Sequence, residues 1–257
     1  MIVISKLISI FLITFCAIYS FSVKAYGDLS ANYLFKSNIL NYDLNYRVYT
    51  PSSSKSDQHF PTLYLTDGQW YIKSGDIIKK LDHLIDSEII SPVIVVFIDS
   101  RNPHNKENRR NSEFMCNTKY ISFFVNELIP TISHNFPVSL KRENRVIGGL
   151  SFGGLNAACF GLSAASQFGG IAMQSPASKK HLQIVSSLYE KSPMLPIKIF
   201  LSGGNKHDNA TAIQKFRKVL LSKGYEVNFK KTNKGHNWEN WRPLIDDMLV
   251  NFFALAP

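Results

Sequence analysis

The feature that most constrains this chain is the pentapeptide Gly149-Leu150-Ser151-Phe152-Gly153, which closes an apolar run and opens a small-residue stretch, Leu155-Asn156-Ala157-Ala158. Glycine two positions either side of the serine has a steric reason: a strand that turns at once into a helix brings backbone too close for larger side chains. The turn would hold Ser151 Oγ above the end of a sheet, beside a helix N-terminus, as a nucleophile elbow does. The pattern by itself is weak, and a fortuitous glycine-rich turn is the alternative. Its context carries the reading: Arg145-Val146-Ile147 supplies the strand, and Gly148 and Gly154 add more small residues than one tight turn needs.

A serine hydroxyl is a poor nucleophile at neutral pH and needs a base within hydrogen-bond reach, with a carboxylate to fix that base's tautomer. Among seven histidines, His236 sits after the last strand-like run, in Lys234-Gly235-His236-Asn237-Trp238, just before the final helical pattern. The chain order nucleophile, acid, base then requires a carboxylate between Ser151 and His236. Asp208 follows the run 197–201 and the turn Ser202-Gly203-Gly204; the other acids in the interval, Glu190 and Glu226, lie before that strand and inside the next. Asp208 also fits as the N-cap of a helix over 210–221, so both roles stand. Donors for a developing oxyanion are expected from the Phe152 backbone N–H and from the loop after run 62–65, where the N–H of Gln69 is the choice. Trp70 beside it reads as a pocket wall or as core.

Strand-length apolar runs at 62–65, 93–98, 145–147, 170–173, 197–201 and 225–229 alternate with helical-period stretches at 77–85, 119–134, 152–165, 181–189, 210–221 and 241–253. Alternation around 45–50 adds an antiparallel strand, ended by a polar loop, 51–59, the most mobile-looking segment. The pattern predicts an α/β fold with a mostly parallel central sheet covered by helices on both faces. The charged and asparagine-rich connection 100–117 reads as an active-site rim or as a solvated loop.

Residues 1–25 combine Lys6, an uncharged run from Leu7 to Val23 and the small-x-small sequence Val23-Lys24-Ala25, which reads as a cleaved secretory signal peptide and hence a periplasmic or secreted location. An uncleaved anchor is the alternative. The remaining 26–257 suit one domain with no further membrane span. Losing Lys6 and Lys24 takes the formal charge from +10 to +8. The cations are scattered, as at Lys79-Lys80, Arg109-Arg110 and Lys230-Lys231, which argues against nucleic acid and leaves an anionic substrate or surface open. Cys116 and Cys159 could pair in an oxidising compartment, but two separate thiols, with Cys159 buried in the elbow helix, are the expectation. No metal or organic cofactor is implied: there is no His-Glu-x-x-His, no paired Cys-x-x-Cys and no phosphate-cradling loop.

Taken in order, Tyr64-Leu65-Thr66-Asp67-Gly68, Arg110-Asn111-Ser112-Glu113-Phe114, Asn126-Glu127-Leu128-Ile129-Pro130, Gly148 to Gly154 and Gly235-His236-Asn237-Trp238 resemble the putative-esterase family over about residues 40–255. That family includes enterochelin esterases, esterase D, feruloyl esterases and mycolyltransferases. The resemblance implies an α/β-hydrolase fold, Ser151 as nucleophile, His236 as base and Arg110 as a substrate contact. It is nearest the enterochelin-esterase branch through the Arg-x-x-Glu-Phe block and the ending Gly235 to Arg242. Two departures stand: the N-terminal substrate-binding domain of the cytoplasmic enzymes is missing, and the acid loop does not align. The chain therefore looks more like single-domain periplasmic siderophore esterases, some of which rely on a serine–histidine pair. The expected activity is a serine carboxylesterase acting on a small-molecule ester, anionic or aromatic, with Trp70, Arg110 and Trp238 touching substrate. An acyltransferase of the same fold and a non-catalytic binding protein on a hydrolase scaffold are the alternatives.

Overall fold

The computed structural model describes residues 27–52 and 58–255. The signal-peptide reading of residues 1–25 and the centre of the polar loop, 53–57, lie outside the described residues. Among the described residues nine strands form one sheet: β1 (Asp28–Leu29), β2 (Tyr33–Ser37), β3 (Tyr42–Thr50), β4 (Thr62–Thr66), β5 (Ile94–Asp99), β6 (Arg145–Leu150), β7 (Gly170–Gln174), β8 (Lys198–Gly204) and β9 (Val227–Thr232). Their order is β1-β3-β5-β4-β6-β7-β8-β9, with β2 also on β3. Pairing is antiparallel as far as β3·β5 and parallel from β5 to β9. The central strands β4, β6 and β7 are buried along their whole length, which is why they read as unbroken apolar runs rather than alternating ones.

The helices are α1 (Gly68–Lys73), α2 (Ile77–Asp86), α3 (Arg110–Glu113), α4 (Thr118–Phe123), α5 (Ile129–Asn135), α6 (Phe152–Ser163), α7 (Lys179–Lys191), α8 (Ala210–Ser222), α9 (Trp238–Trp241) and α10 (Leu244–Phe253). They pack on both faces. One core joins Phe124, Phe160, Leu182 and Ile213 to one side of the sheet, and the other joins Tyr71, Leu81, Ile245 and Met248 to its opposite side. This is the mostly parallel, helix-covered sheet the pattern predicts and the α/β-hydrolase arrangement the resemblance implies.

Proline explains two departures from the predicted helices. The stretch 119–134 is helical but widens into a π turn over Phe124–Leu128, where Ile129 N–H bonds the Phe124 carbonyl; Pro130 follows, with no N–H to give and a ring that crowds the preceding turn. The helix predicted over 241–253 begins only at Leu244, with Pro243 as its N-cap, and the short α9 precedes it. Sequence periodicity offers no sign of α1, which forms within the loop expected after run 62–65, nor of the two short edge strands β1 and β2.

The expectation of two separate thiols is overturned: Cys116 and Cys159 form a disulfide with Cα atoms 5.1 Å apart. Cys159 is indeed buried in α6, but the segment after α3 packs against that helix and carries Cys116 to it, a juxtaposition across 43 residues that no local pattern encodes. By chain entropy such a closure stabilises the fold by about 4 kcal/mol. Among the described residues no helix is long and apolar enough to cross a membrane.

Candidate active site

The C-terminal ends of the parallel strands β4, β6, β7 and β8 are followed by Asp67, Ser151, Ser175 and the loop carrying Asp208. At the end of β6 the chain turns into α6 through Ser151, whose φ of 57° and ψ of −120° put a non-glycine residue in a sparsely populated backbone region. The turn is held by Ser151 N–H to the Gln174 carbonyl at 2.8 Å and by Leu155 N–H to the Ser151 carbonyl at 3.1 Å. The two glycines are required by space: a Cβ on Gly149 would lie 2.5 Å from the Gly153 backbone, and one on Gly153 would lie 2.9 Å from Thr66 Oγ1. Sequence, strain and presentation of Oγ are thus one fact at this position.

His236 Nε2 lies 2.8 Å from Ser151 Oγ, and its Nδ1 lies 2.6 Å from Asp208 Oδ1. A carboxylate only accepts, so Nδ1 carries the proton and Nε2 is left to accept from the serine hydroxyl. Asp208 is the residue brought to the histidine, and the N-cap of α8 is Asn209, which makes no side-chain capping bond. The second oxygen of Asp208 accepts from Ser175 Oγ at 2.6 Å, from Asn240 Nδ2 at 2.8 Å and from the Gly204 N–H. Its side chain has no solvent exposure, while that of His236 keeps 29 %. A buried anion with three donors on one oxygen and the imidazole on the other is set to hold a tautomer.

Around these groups lies a cleft of about 460 Å³ bordered by Trp70, Ser74, Arg110, Leu150, Ser151, His236, Trp238 and Trp241. The structure therefore gathers Ser151, His236, Trp70, Arg110 and Trp238 at one place, with Asp208 directly behind. Trp70, 36 % exposed, is wall rather than core, and its ring has Arg101 and Lys73 within 5.5 and 5.9 Å of its centroid. Trp238 packs edge-on against Tyr71 and Trp241. Arg110 is ion-paired with Asp67, Nε to Oδ2 at 2.9 Å, and lies over the Phe152 ring at 5.5 Å. Burial pushes the Asp67 carboxyl up, while Arg110 and the Ser100 hydroxyl pull it back. Phe152 is the first residue of α6, so its N–H is one of the unpaired donors of that helix start. Gln69 occupies the first turn of α1 and borders a separate small cavity with Arg47 and Asp99.

Sequence reasoning missed Ser175 and Asn240. Ser175 had a faint signal, a polar residue just after the C-terminal end of a parallel strand, where ligands gather in such sheets; Asn240, just ahead of the predicted helical stretch, had none. A groove of about 360 Å³ between α8 and β9, lined by Lys215, Lys218 and Lys231, contains none of Ser151, His236 or Asp208.

A family-wide sequence pattern described as Putative esterase matches residues 37–252. The chain belongs to this family. Esterase membership makes it a hydrolase acting on ester bonds. It is 25% identical over 224 residues to the uncharacterized protein YjcH of Bacillus subtilis, covering 84% of this chain and 93% of that one. It is 27% identical over 142 residues to the iron(III) enterobactin esterase of Escherichia coli K12, covering 55% of this chain and 34% of the relative. The esterase thus spans about a third of the length of that relative. Among solved structures, a ferulic acid esterase superposes with a TM-score of 0.73 at 20% identity, covering 89% of this chain and 98% of the other, a likeness of fold.

Proposed function

We propose that this esterase is a serine carboxylesterase that works through an acyl-enzyme on Ser151. The supporting observation is the unbroken chain from Ser151 Oγ to His236 Nε2 at 2.8 Å and from His236 Nδ1 to Asp208 Oδ1 at 2.6 Å. Oγ attacks the ester carbonyl as its proton passes to Nε2; Asp208 stabilises the imidazolium that forms; His236 returns the proton to the leaving alcohol; water, deprotonated by the same nitrogen, then attacks the acyl carbonyl, and that proton passes from Nε2 to the departing Ser151 Oγ, releasing the acid. The backbone N–H groups of Phe152 and Gln69 are the proposed oxyanion donors, each worth roughly 3 kcal/mol of barrier.

Three indoles and one guanidinium around the cleft suit an ester carrying an aromatic ring and a negative charge, with Trp70, Arg110 and Trp238 as substrate contacts. Siderophore and feruloyl-type esters both carry the aromatic ring, in line with the names of the relatives, and Arg110 favours those that also carry a negative charge. The proposed working form is a single domain, residues 26–257, exported by a signal in residues 1–25. The Cys116–Cys159 disulfide supports that location, since such bonds persist in oxidising compartments.

The test is hydrolysis of short-chain p-nitrophenyl esters by the mature chain and by Ser151→Ala and His236→Ala. Loss of turnover in both variants, with fluorophosphonate labelling of the wild type alone, is expected. A folded wild type that neither turns over nor labels would mean a binding protein on this scaffold, and ester products formed with an added alcohol would mean an acyltransferase.

A further inference from the structure

We propose that Ser175 and Trp241 are positioning residues that tie the aromatic wall of the cleft to Asp208 through a directed hydrogen-bond relay. The proposal rests on the reading of Asp208 as the acid of the active site.

The direction of the relay follows from the donor inventory. Ser175 Oγ touches three polar groups: Asp208 Oδ2 at 2.6 Å, Asn240 Nδ2 at 3.1 Å and Trp241 Nε1 at 2.9 Å. Indole N–H and amide NH₂ can only donate, so both must point into the hydroxyl lone pairs. The single hydroxyl proton then has one place to go, Asp208 Oδ2. Trp241 thereby fixes a proton two atoms removed from its own ring. With Gly204 N–H and Asn240 Nδ2 also on Oδ2, that oxygen is saturated and Oδ1 alone faces His236. A free carboxylate could present either oxygen; this one is indexed.

Trp241 meets the base as well as the acid. Its ring stands at 87° to the His236 imidazole with centroids 4.9 Å apart, and it borders the cleft beside Trp238. Its backbone carbonyl accepts from Gln174 Nε2 at 2.9 Å, and Gln174 in turn accepts from Tyr71 at 2.8 Å, so the indole is held from behind as well. One buried side chain therefore braces the imidazole with its face or edge and orders the carboxylate with its N–H.

The experiment is a double-mutant cycle of Ser175→Ala and Trp241→Phe in the mature enzyme, with Asp208→Asn as reference. It is read by kcat and KM on p-nitrophenyl acetate and by the proton resonance of the His236 Nδ1–H, which a strong carboxylate hydrogen bond moves far downfield. Ser175→Ala is expected to lower kcat about tenfold with KM within about twofold, and to move the Nδ1–H resonance upfield. Trp241→Phe should do the same to a smaller degree, and the double variant should be no worse than Ser175→Ala, because the two act on one proton. Unchanged kcat and resonance in Ser175→Ala, or strictly additive losses in the cycle, would overturn the relay while leaving the triad intact. Full activity in Asp208→Asn would instead overturn the reading of Asp208 on which the relay depends. Trp241→Phe is an independent arm should the alanine variant not fold, since its resonance alone must move for the relay to hold.

Discussion

Two aspartates at the same end of the sheet, Asp67 and Asp208, both have side chains with no solvent exposure, yet they are balanced in different ways. Asp67 meets a permanent cation, Arg110 Nε at 2.9 Å, together with the Ser100 hydroxyl at 2.8 Å. Asp208 meets an imidazole and three neutral donors. The first carboxylate is neutralised once and for all, and it locks Arg110 against the elbow. The second is compensated fully only when His236 has taken a proton, which is the moment when a serine is being activated. A buried charge matched by a cation is structural; a buried charge matched by dipoles is held in reserve for a transition state.

The sharpest way to break this comparison is to neutralise each acid in turn. Asp208→Asn is expected to cost about 10³- to 10⁴-fold in kcat, since an amide facing Nδ1 favours the wrong tautomer, with only a small change in thermal midpoint. A large stability loss with preserved kcat would place Asp208 on the structural side.

A third buried acid gives the next largest effect. Glu113 on α3 is 1 % exposed and accepts from Tyr42 at 3.0 Å; burial pushes its carboxyl up to about 8, against the pull of Tyr42 and Arg109 and helped by Asp67 and Asp99. Its folded value lies above the ordinary 4.5, so the folded state holds the proton more tightly. Stability associated with Glu113 is thus complete at low pH and is lost as pH rises from about 4.5 through about 8, by an amount on the order of a few kcal/mol. Denaturant midpoints across that interval should fall in the wild type and stay flatter in Glu113→Gln; parallel curves would show that Glu113 does not titrate there.

Asp67→Asn comes third. It leaves Arg110 without its anion, and because the guanidinium is 21% exposed the loss is discounted to about 1–2 kcal/mol in unfolding free energy. Equal kcat with a raised KM for charged esters would set it apart from Asp208→Asn, and a collapse of kcat would merge the two roles.

Legibility in the sequence followed the same division. Ser151 was visible because strain leaves a mark: a Cβ at 149 would strike the Gly153 backbone and one at 153 would crowd Thr66 Oγ1, and the spacing is local. Asp208 emerged by elimination among three acids. What orders Asp208 was not visible, since Ser175 lies 33 residues away and Asn240 lies 32, each on its own loop or helix. The disulfide was misjudged for a related reason: burial of Cys159 was correctly anticipated, but only the packing of the segment after α3 on α6 decides whether Cys116 reaches it. The parallel sheet was readable because whole strands are buried, whereas β1 and β2, short and largely exposed, had no alternation to offer.

The smallest expected effect sharpens the Asp67 side. Arg110→Lys keeps the positive charge but loses the planar fork that pairs with Asp67 through Nε and spreads over the Phe152 ring at 5.5 Å. A lysine ammonium is a compact, strongly hydrated point charge, so it can satisfy Asp67 or face the cleft but has no second edge for both. KM for esters bearing a carboxylate or catechol should therefore rise about three- to tenfold, with kcat within about twofold and with KM for neutral p-nitrophenyl acetate unchanged. If charged and neutral esters suffer alike, Arg110 serves Asp67 alone, and the recognition of negative charge must be sought at Arg101 and Lys73, the two cations flanking Trp70.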